Sequence, residues 1–113
     1  MPPGSGAQMD KSEVIERVKL FAERARQSLD VQQAILFGSY AKGTATEHSD
    51  IDVAVVTGTP PADWLEASTN LFRLRRDIDL SIEPVLIDAS HDRSGFLEEI
   101  RRTGELVYSR ETA

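Results

Sequence analysis

Two aspartates, Asp50 and Asp52, flank Ile51 at the head of the apolar run Val53-Ala54-Val55-Val56. Side chains alternate along a strand, so both carboxylates project from one face, roughly 7 Å apart along the chain. Carboxylates that converge on one spot repel each other unless a cation lies between them. Mg2+ suits such a pair, because it takes hard oxygen ligands and keeps a phosphate among them. Ten residues separate the pair from Gly38-Ser39, which directly follows a second apolar run, Ala34-Ile35-Leu36-Phe37. Gly38 permits close backbone approach and an unusual φ. Ser39 can donate its hydroxyl to a phosphate oxygen, and its N–H opens the next helical turn. Lys42 adds a point charge within reach of a phosphate. An Asp-x-Asp at a strand start is by itself an ordinary loop–strand boundary. The Gly-Ser turn at this spacing is what turns it into a candidate site for nucleotidyl transfer.

That reaction displaces pyrophosphate from a nucleoside triphosphate. The protein must hold the triphosphate, offset charge in the transition state and activate an acceptor. Two-metal sites meet the second need with ions about 3.5–4 Å apart, bridged by carboxylates. Asp50 and Asp52 suit that bridge. A third carboxylate on a neighbouring strand would complete one metal site or take the acceptor proton. Glu83 is the first choice, because a carboxylate with apolar flanks needs a partner. Asp79, on the same face, is the runner-up. His48 in the preceding loop and the arginines Arg73, Arg75 and Arg76 read as solvated or partner-facing groups.

The elements that must position these groups follow from periodicity. Asp10 and Glu13 form a capping-box pattern. Val14, Val18, Phe21, Ala22, Ala25 and Leu29 recur at helical spacing, which predicts a helix over 11–29. Val31–Phe37 reads as a buried strand. Gly38–Gly43 reads as a turn with one or two helical turns closed by Gly43, and Thr44–Ser49 as loop. Asp50–Val56 is the second strand, and Thr57-Gly58-Thr59-Pro60-Pro61 ends it. Pro61 suits a first-turn position. A helix over 62–77 follows, with Leu65, Ser68 and Phe72 marking its spacing and Trp64, Leu71 and Leu74 widening the apolar face. Asp79–Ile87 reads as a strand whose Pro84 places it at an edge or a bulge. Phe96–Thr103 reads as a short helix closed by Gly104, and Leu106–Tyr108 as a last strand. The order is α/β, with a small mixed sheet flanked by helices.

Composition sets the outer bounds. The 113 residues fit one domain, expected over 10–113, behind a flexible tail over 1–9 rich in Pro, Gly and Ser. A formal net charge of −6 disfavours direct nucleic-acid binding. Zero cysteines exclude disulfides and thiolate metal sites, which accords with a cytoplasmic protein. No apolar run is long enough to span a membrane, and the first residues lack the charge and apolar core of a secretory signal.

The segment Gly38-Ser39-Tyr40-Ala41-Lys42-Gly43-Thr44-Ala45-Thr46-Glu47-His48-Ser49-Asp50-Ile51-Asp52 resembles the signature of the polymerase-β-type nucleotidyltransferases. More closely, the chain is similar to the minimal nucleotidyltransferases, with their Gly-Ser-x10-Asp-x-Asp pattern. The likeness extends to the N-terminal helix, to Ile82-Glu83-Pro84 and to the ending Phe96-Leu97-Glu98-Glu99-Ile100-Arg101-Arg102-Thr103-Gly104, about residues 12–110 in all. It implies a polymerase-β-like core. Gly38 and Ser39 match the phosphate turn, Asp50 and Asp52 the metal ligands, and Glu83 the third acidic position. The minimal members pair with a small helical HEPN protein in toxin–antitoxin modules. The resemblance therefore implies an antitoxin that transfers AMP from ATP, with two Mg2+ ions, to a tyrosine of its cognate HEPN ribonuclease toxin in a hetero-oligomer. The chain ends soon after its last strand, without a further acceptor-binding segment, so a partner protein is expected to present the acceptor. Two alternatives remain at this stage: an antitoxin that masks the toxin without catalysis, and transfer to a small molecule such as an aminoglycoside.

Overall fold

The computed structural model describes residues 10–92 and 94–110. The expected tail over 1–9 lies outside the described residues. The element order is α1 (Lys11–Ala25), β1 (Asp30–Phe37), α2 (Ser39–Lys42), β2 (Ile51–Thr59), α3 (Trp64–Leu74), β3 (Ile82–Asp88), α4 (Phe96–Thr103) and β4 (Glu105–Ser109). A single 3-10 turn, Arg75–Asp77, links α3 toward β3. The four strands form one mixed sheet in the order β3-β2-β1-β4. β1 runs antiparallel to both β2 and β4, and β2 runs parallel to β3. This is the small mixed α/β sheet expected from the sequence. Pro84 sits in β3, an edge strand, where a missing N–H interrupts no interior ladder.

Both faces of the sheet are covered. On one side Val14, Val18 and Phe21 of α1 and Leu71 of α3 pack on Val31, Ala34, Leu36, Val53, Val55 and Ile82. On the other, Leu97 and Ile100 of α4 pack on Ile35, Ala54, Val56 and Ile87. Double coverage explains why β2 is apolar at almost every position rather than alternating. It also fixes register, because a slip of one residue would exchange the two faces.

Local boundaries differ where polar side chains take over the backbone. α1 stops at Ala25, four residues before the expected end, and Asp10 caps its start by accepting from the Ser12 amide. Asp63, not Pro61, starts α3 by accepting from the Glu66 amide at 3.0 Å. The expected Leu65-Ser68-Phe72 stripe faces outward: Leu65 is 76% exposed and Phe72 40%, whereas Leu71 is 1%. β3 starts at Ile82 rather than Asp79, because Asp79 closes a turn on Ser81.

Candidate active site

Strand pairing brings the sequence-predicted groups together at one end of the sheet. Phe37, the last residue of β1, pairs with Asp52. Asp52 in turn pairs with Glu83 across the parallel β2–β3 ladder. Parallel partners project to the same face, so the Asp52 and Glu83 carboxylates are neighbours. Asp50 precedes β2 on that face. Its loop is closed by Ser49, whose hydroxyl accepts from the Thr46 amide at 2.8 Å while its own amide donates to the Thr46 carbonyl at 3.1 Å. Glu83 lies second in its strand between the buried Ile82 and Pro84, not mid-strand as expected.

The turn after β1 closes on the same spot. Gly38 adopts φ 77° and ψ −149°, a combination essentially confined to glycine. A Cβ on Gly38 would stand 2.2 Å from Asp52 Oδ2. The turn backbone therefore lies against the Asp52 carboxylate, and only a glycine leaves that carboxylate room. Ser39 opens α2, a single turn ended by Gly43 at φ 78°. Lys42 is exposed in the last turn of α2, and its charge acts on Glu99 of α4. The exposed His48 lies 3.4 Å from Glu47 and is turned to solvent.

Electrostatics single out Asp52. Burial, then the negative charges of Asp50 and Glu83, push its carboxyl above the ordinary carboxylate range. A divalent cation would relieve that repulsion, and all three donors are hard carboxylate oxygens. The residues present thus fit Mg2+. Among the described residues, no three side chains already stand as a closed ligand set. Glu83 faces Arg75 instead, with Oε1 3.7 Å from Nη1.

Asp79, the runner-up, is engaged by its own hydrogen bonds. It accepts from the Ser81 amide at 2.8 Å, the Ser81 hydroxyl at 2.5 Å and Arg17 Nη1 at 2.5 Å. Burial raises its pKa, but the Ser81 and Arg17 hydrogen bonds outweigh that and hold it below the ordinary value. Asp79 ties the start of β3 to α1 and leaves Glu83 as the neighbour of Asp52.

Sequence reasoning missed two residues. Arg75 is not simply a solvated helix-end charge: its guanidinium donates to the Ile82 carbonyl at 2.8 Å and lies over the Phe72 ring at 4.9 Å. Its position just ahead of the carboxylate-bearing strand was the available signal. Phe96 meets the Phe37 ring edge-on, with centroids 5.9 Å apart, so the start of α4 abuts the Asp52 face. A shallow depression of about 280 Å3, lined by Trp64, Val85, Ile87, His91 and Phe96 among others, follows β3 away from Glu83.

Residues 19–113 match the family described as "Polymerase beta, Nucleotidyltransferase". A Methanocaldococcus jannaschii protein named "Putative protein adenylyltransferase MJ1305" is 31% identical over 90 residues, which cover 71% of this chain. The match spans 58% of that relative's length. Among solved structures, one described as a "putative nucleotidyltransferase from Sulfolobus solfataricus" aligns with a TM-score of 0.66 at 19% identity, over 91% of this chain and 86% of its own. A chain from the complex of "tri-AMPylated Shewanella oneidensis HEPN toxin" with "MNT antitoxin" aligns with a TM-score of 0.60 at 17% identity, over 91% and 76%. At these identities the structural likeness is one of fold. With the matched residues spanning Gly38-Ser39, both aspartates and Glu83, the chain belongs to the polymerase-β-type nucleotidyltransferase family.

Proposed function

We propose that this protein is an adenylyltransferase antitoxin that moves AMP from ATP to a tyrosine hydroxyl of a cognate HEPN toxin. The observation that carries the reading is the convergence of Gly38, Asp52 and Glu83, fixed by strand register and by the close approach at Gly38. In this reading Asp50, Asp52 and Glu83 hold Mg2+, two ions in the family pattern. Bound there, the cations would offset charge on the triphosphate and lower the pKa of the attacking hydroxyl. Gly38 and Ser39 seat the phosphates: Gly38 by clearing space beside Asp52, Ser39 by offering its hydroxyl. Lys42 contributes long-range charge at the entrance. The acceptor hydroxyl gives its proton to solvent as its oxygen attacks the α-phosphorus, the bond to the α–β bridging oxygen breaks, and pyrophosphate leaves with that electron pair. A cation bound there would offset the burial and the charges of Asp50 and Glu83 that raise the Asp52 carboxyl.

Exposed apolar groups support a partner as the source of the acceptor. Trp64 is 40% exposed and Leu65 76%, both at the start of α3 near the depression beside β3. The same residues favour a second reading, in which the protein masks the toxin by binding alone. The experiment is intact mass of a co-expressed HEPN partner after incubation with the protein, ATP and Mg2+. A gain of about 329 Da per adenylyl group, lost in an Asp50→Ala/Asp52→Ala control, supports transfer. A stable complex without mass gain supports masking.

A further inference from the structure

We propose that Arg75 is a positioning residue for Glu83, holding the third carboxylate apart from the aspartate pair until a divalent cation draws it in. The inference rests on the reading of Asp50, Asp52 and Glu83 as cation ligands. Arg75 is built for such a task rather than for solvation, its side chain being only 24% exposed. The guanidinium is held in place by the Ile82 carbonyl at 2.8 Å and by the Phe72 ring at 4.9 Å. Ile82 is the residue next to Glu83 and pairs with Ile51, which lies between the two aspartates. The planar head is thus fixed against the backbone of the strand whose carboxylate it faces, 3.7 Å from Glu83 Oε1. The same Nη1 donates to the carbonyl and lies within ion-pair range of the carboxylate.

The electrostatic consequence follows from the neighbours. Asp50 and Glu83 both act on Asp52, so three negative charges share one strand end. Among the described residues, Arg75 is the cation recorded in an ion pair with one of them, Glu83. It offsets Glu83 without a metal and competes for it when a metal arrives. Removing the guanidinium should therefore strengthen cation binding, and the gain should depend on Glu83. A merely structural Arg75 predicts the reverse, since loosening the α3–β3 junction would weaken the site.

The test is Mn2+ titration of the full chain by calorimetry, beside melting curves, for the wild type, Asp50→Ala/Asp52→Ala, Glu83→Gln, Arg75→Met and Arg75→Met/Glu83→Gln. The expected result is about two- to fivefold tighter Mn2+ binding in Arg75→Met, the scale of a partly exposed ion pair, and less than about a twofold change when Glu83 is already Gln. Unchanged or weaker binding in a folded Arg75→Met overturns the proposal while leaving the metal reading intact. Mn2+ binding that ignores both aspartates and Glu83 overturns the metal reading itself. Should Arg75→Met fail to fold, Arg75→Lys serves: its ammonium keeps the charge but lacks the fork, so a smaller tightening that again vanishes with Glu83→Gln is expected. No coupling to Glu83 in that variant also overturns the proposal.

Discussion

Asp52 and Glu83 stand opposite each other across the parallel β2–β3 ladder, and the Gly38 backbone closes against the same Asp52 carboxylate. The folded chain therefore holds Asp52 in an environment that disfavours its charge. Asp52→Asn is expected to raise the melting temperature slightly at neutral pH while abolishing nucleotidyl transfer. Groups that only support metal ligands cost 10–100-fold when lost, so a ligand should cost more than about a hundredfold. The sign with pH follows: a carboxyl raised in the folded state opposes folding once it ionises, so the Asn variant's advantage should shrink as pH falls through that raised folded value and be gone below the ordinary carboxylate range. Thermal melts at two pH values beside an adenylylation assay check both halves; a lower melting point at pH 7 would refute the stability half.

Gly38→Ala places a methyl where the Asp52 carboxylate lies and forces an alanine into a glycine backbone conformation. The conformational part alone costs about 1–3 kcal/mol. The clash adds displacement of Asp52. Denaturant unfolding should show the loss, and Mn2+ binding should weaken in the fraction that remains folded. An alanine variant with native stability and native metal affinity would contradict the geometry.

Asp79→Asn tests the tie between β3 and α1. The depressed Asp79 carboxyl contributes stability that is present above the ordinary carboxylate range and is lost as pH falls through its folded value. At pH 7 the variant is expected to lose about 1–2 kcal/mol, allowing for the part-exposed Arg17. The difference from wild type should narrow as pH falls below the ordinary carboxylate range and close beneath the depressed folded value. A constant difference across pH would show that Asp79 acts through shape rather than charge.

Ile100→Ala targets α4, which buries only Leu97 and Ile100 against the sheet. A large-to-small change there should cost about 2–4 kcal/mol. Because α4 has so few anchors, hydrogen exchange should quicken first in α4 and β4, before β2. Uniform acceleration through the sheet would mean that α4 is part of the global unit.

The elements were legible where periodicity was strong. Phe96–Thr103 agrees to the residue, and the two central strands follow from their apolar runs. The Asp52–Glu83 pairing lay beyond the sequence, since register depends on contacts between distant segments. Periodicity misplaced the inward side of α3, because Leu65 and Phe72 share helical spacing with a face left exposed. Alternation also started β3 too early, at Asp79, because it says nothing of a side chain that bends back to the Ser81 backbone. Arg75 was hidden for a similar reason: its partners lie on an element that the 3-10 turn swings alongside it.

The double coverage of β2 constrains how this site can vary. A one-residue insertion inside β2 would exchange the side chains packed under α1 and α3 with those packed under α4 and turn Asp52 away from Glu83, so packing and the carboxylate cluster would be lost together. The loop Thr44–Ser49 lies outside that packing, and its length can change while Phe37 and Asp52 stay paired across β1 and β2. A change of length is thus better tolerated in that loop than in β2, where the packing that keeps the protein folded also holds the Asp52 end of the sheet in place.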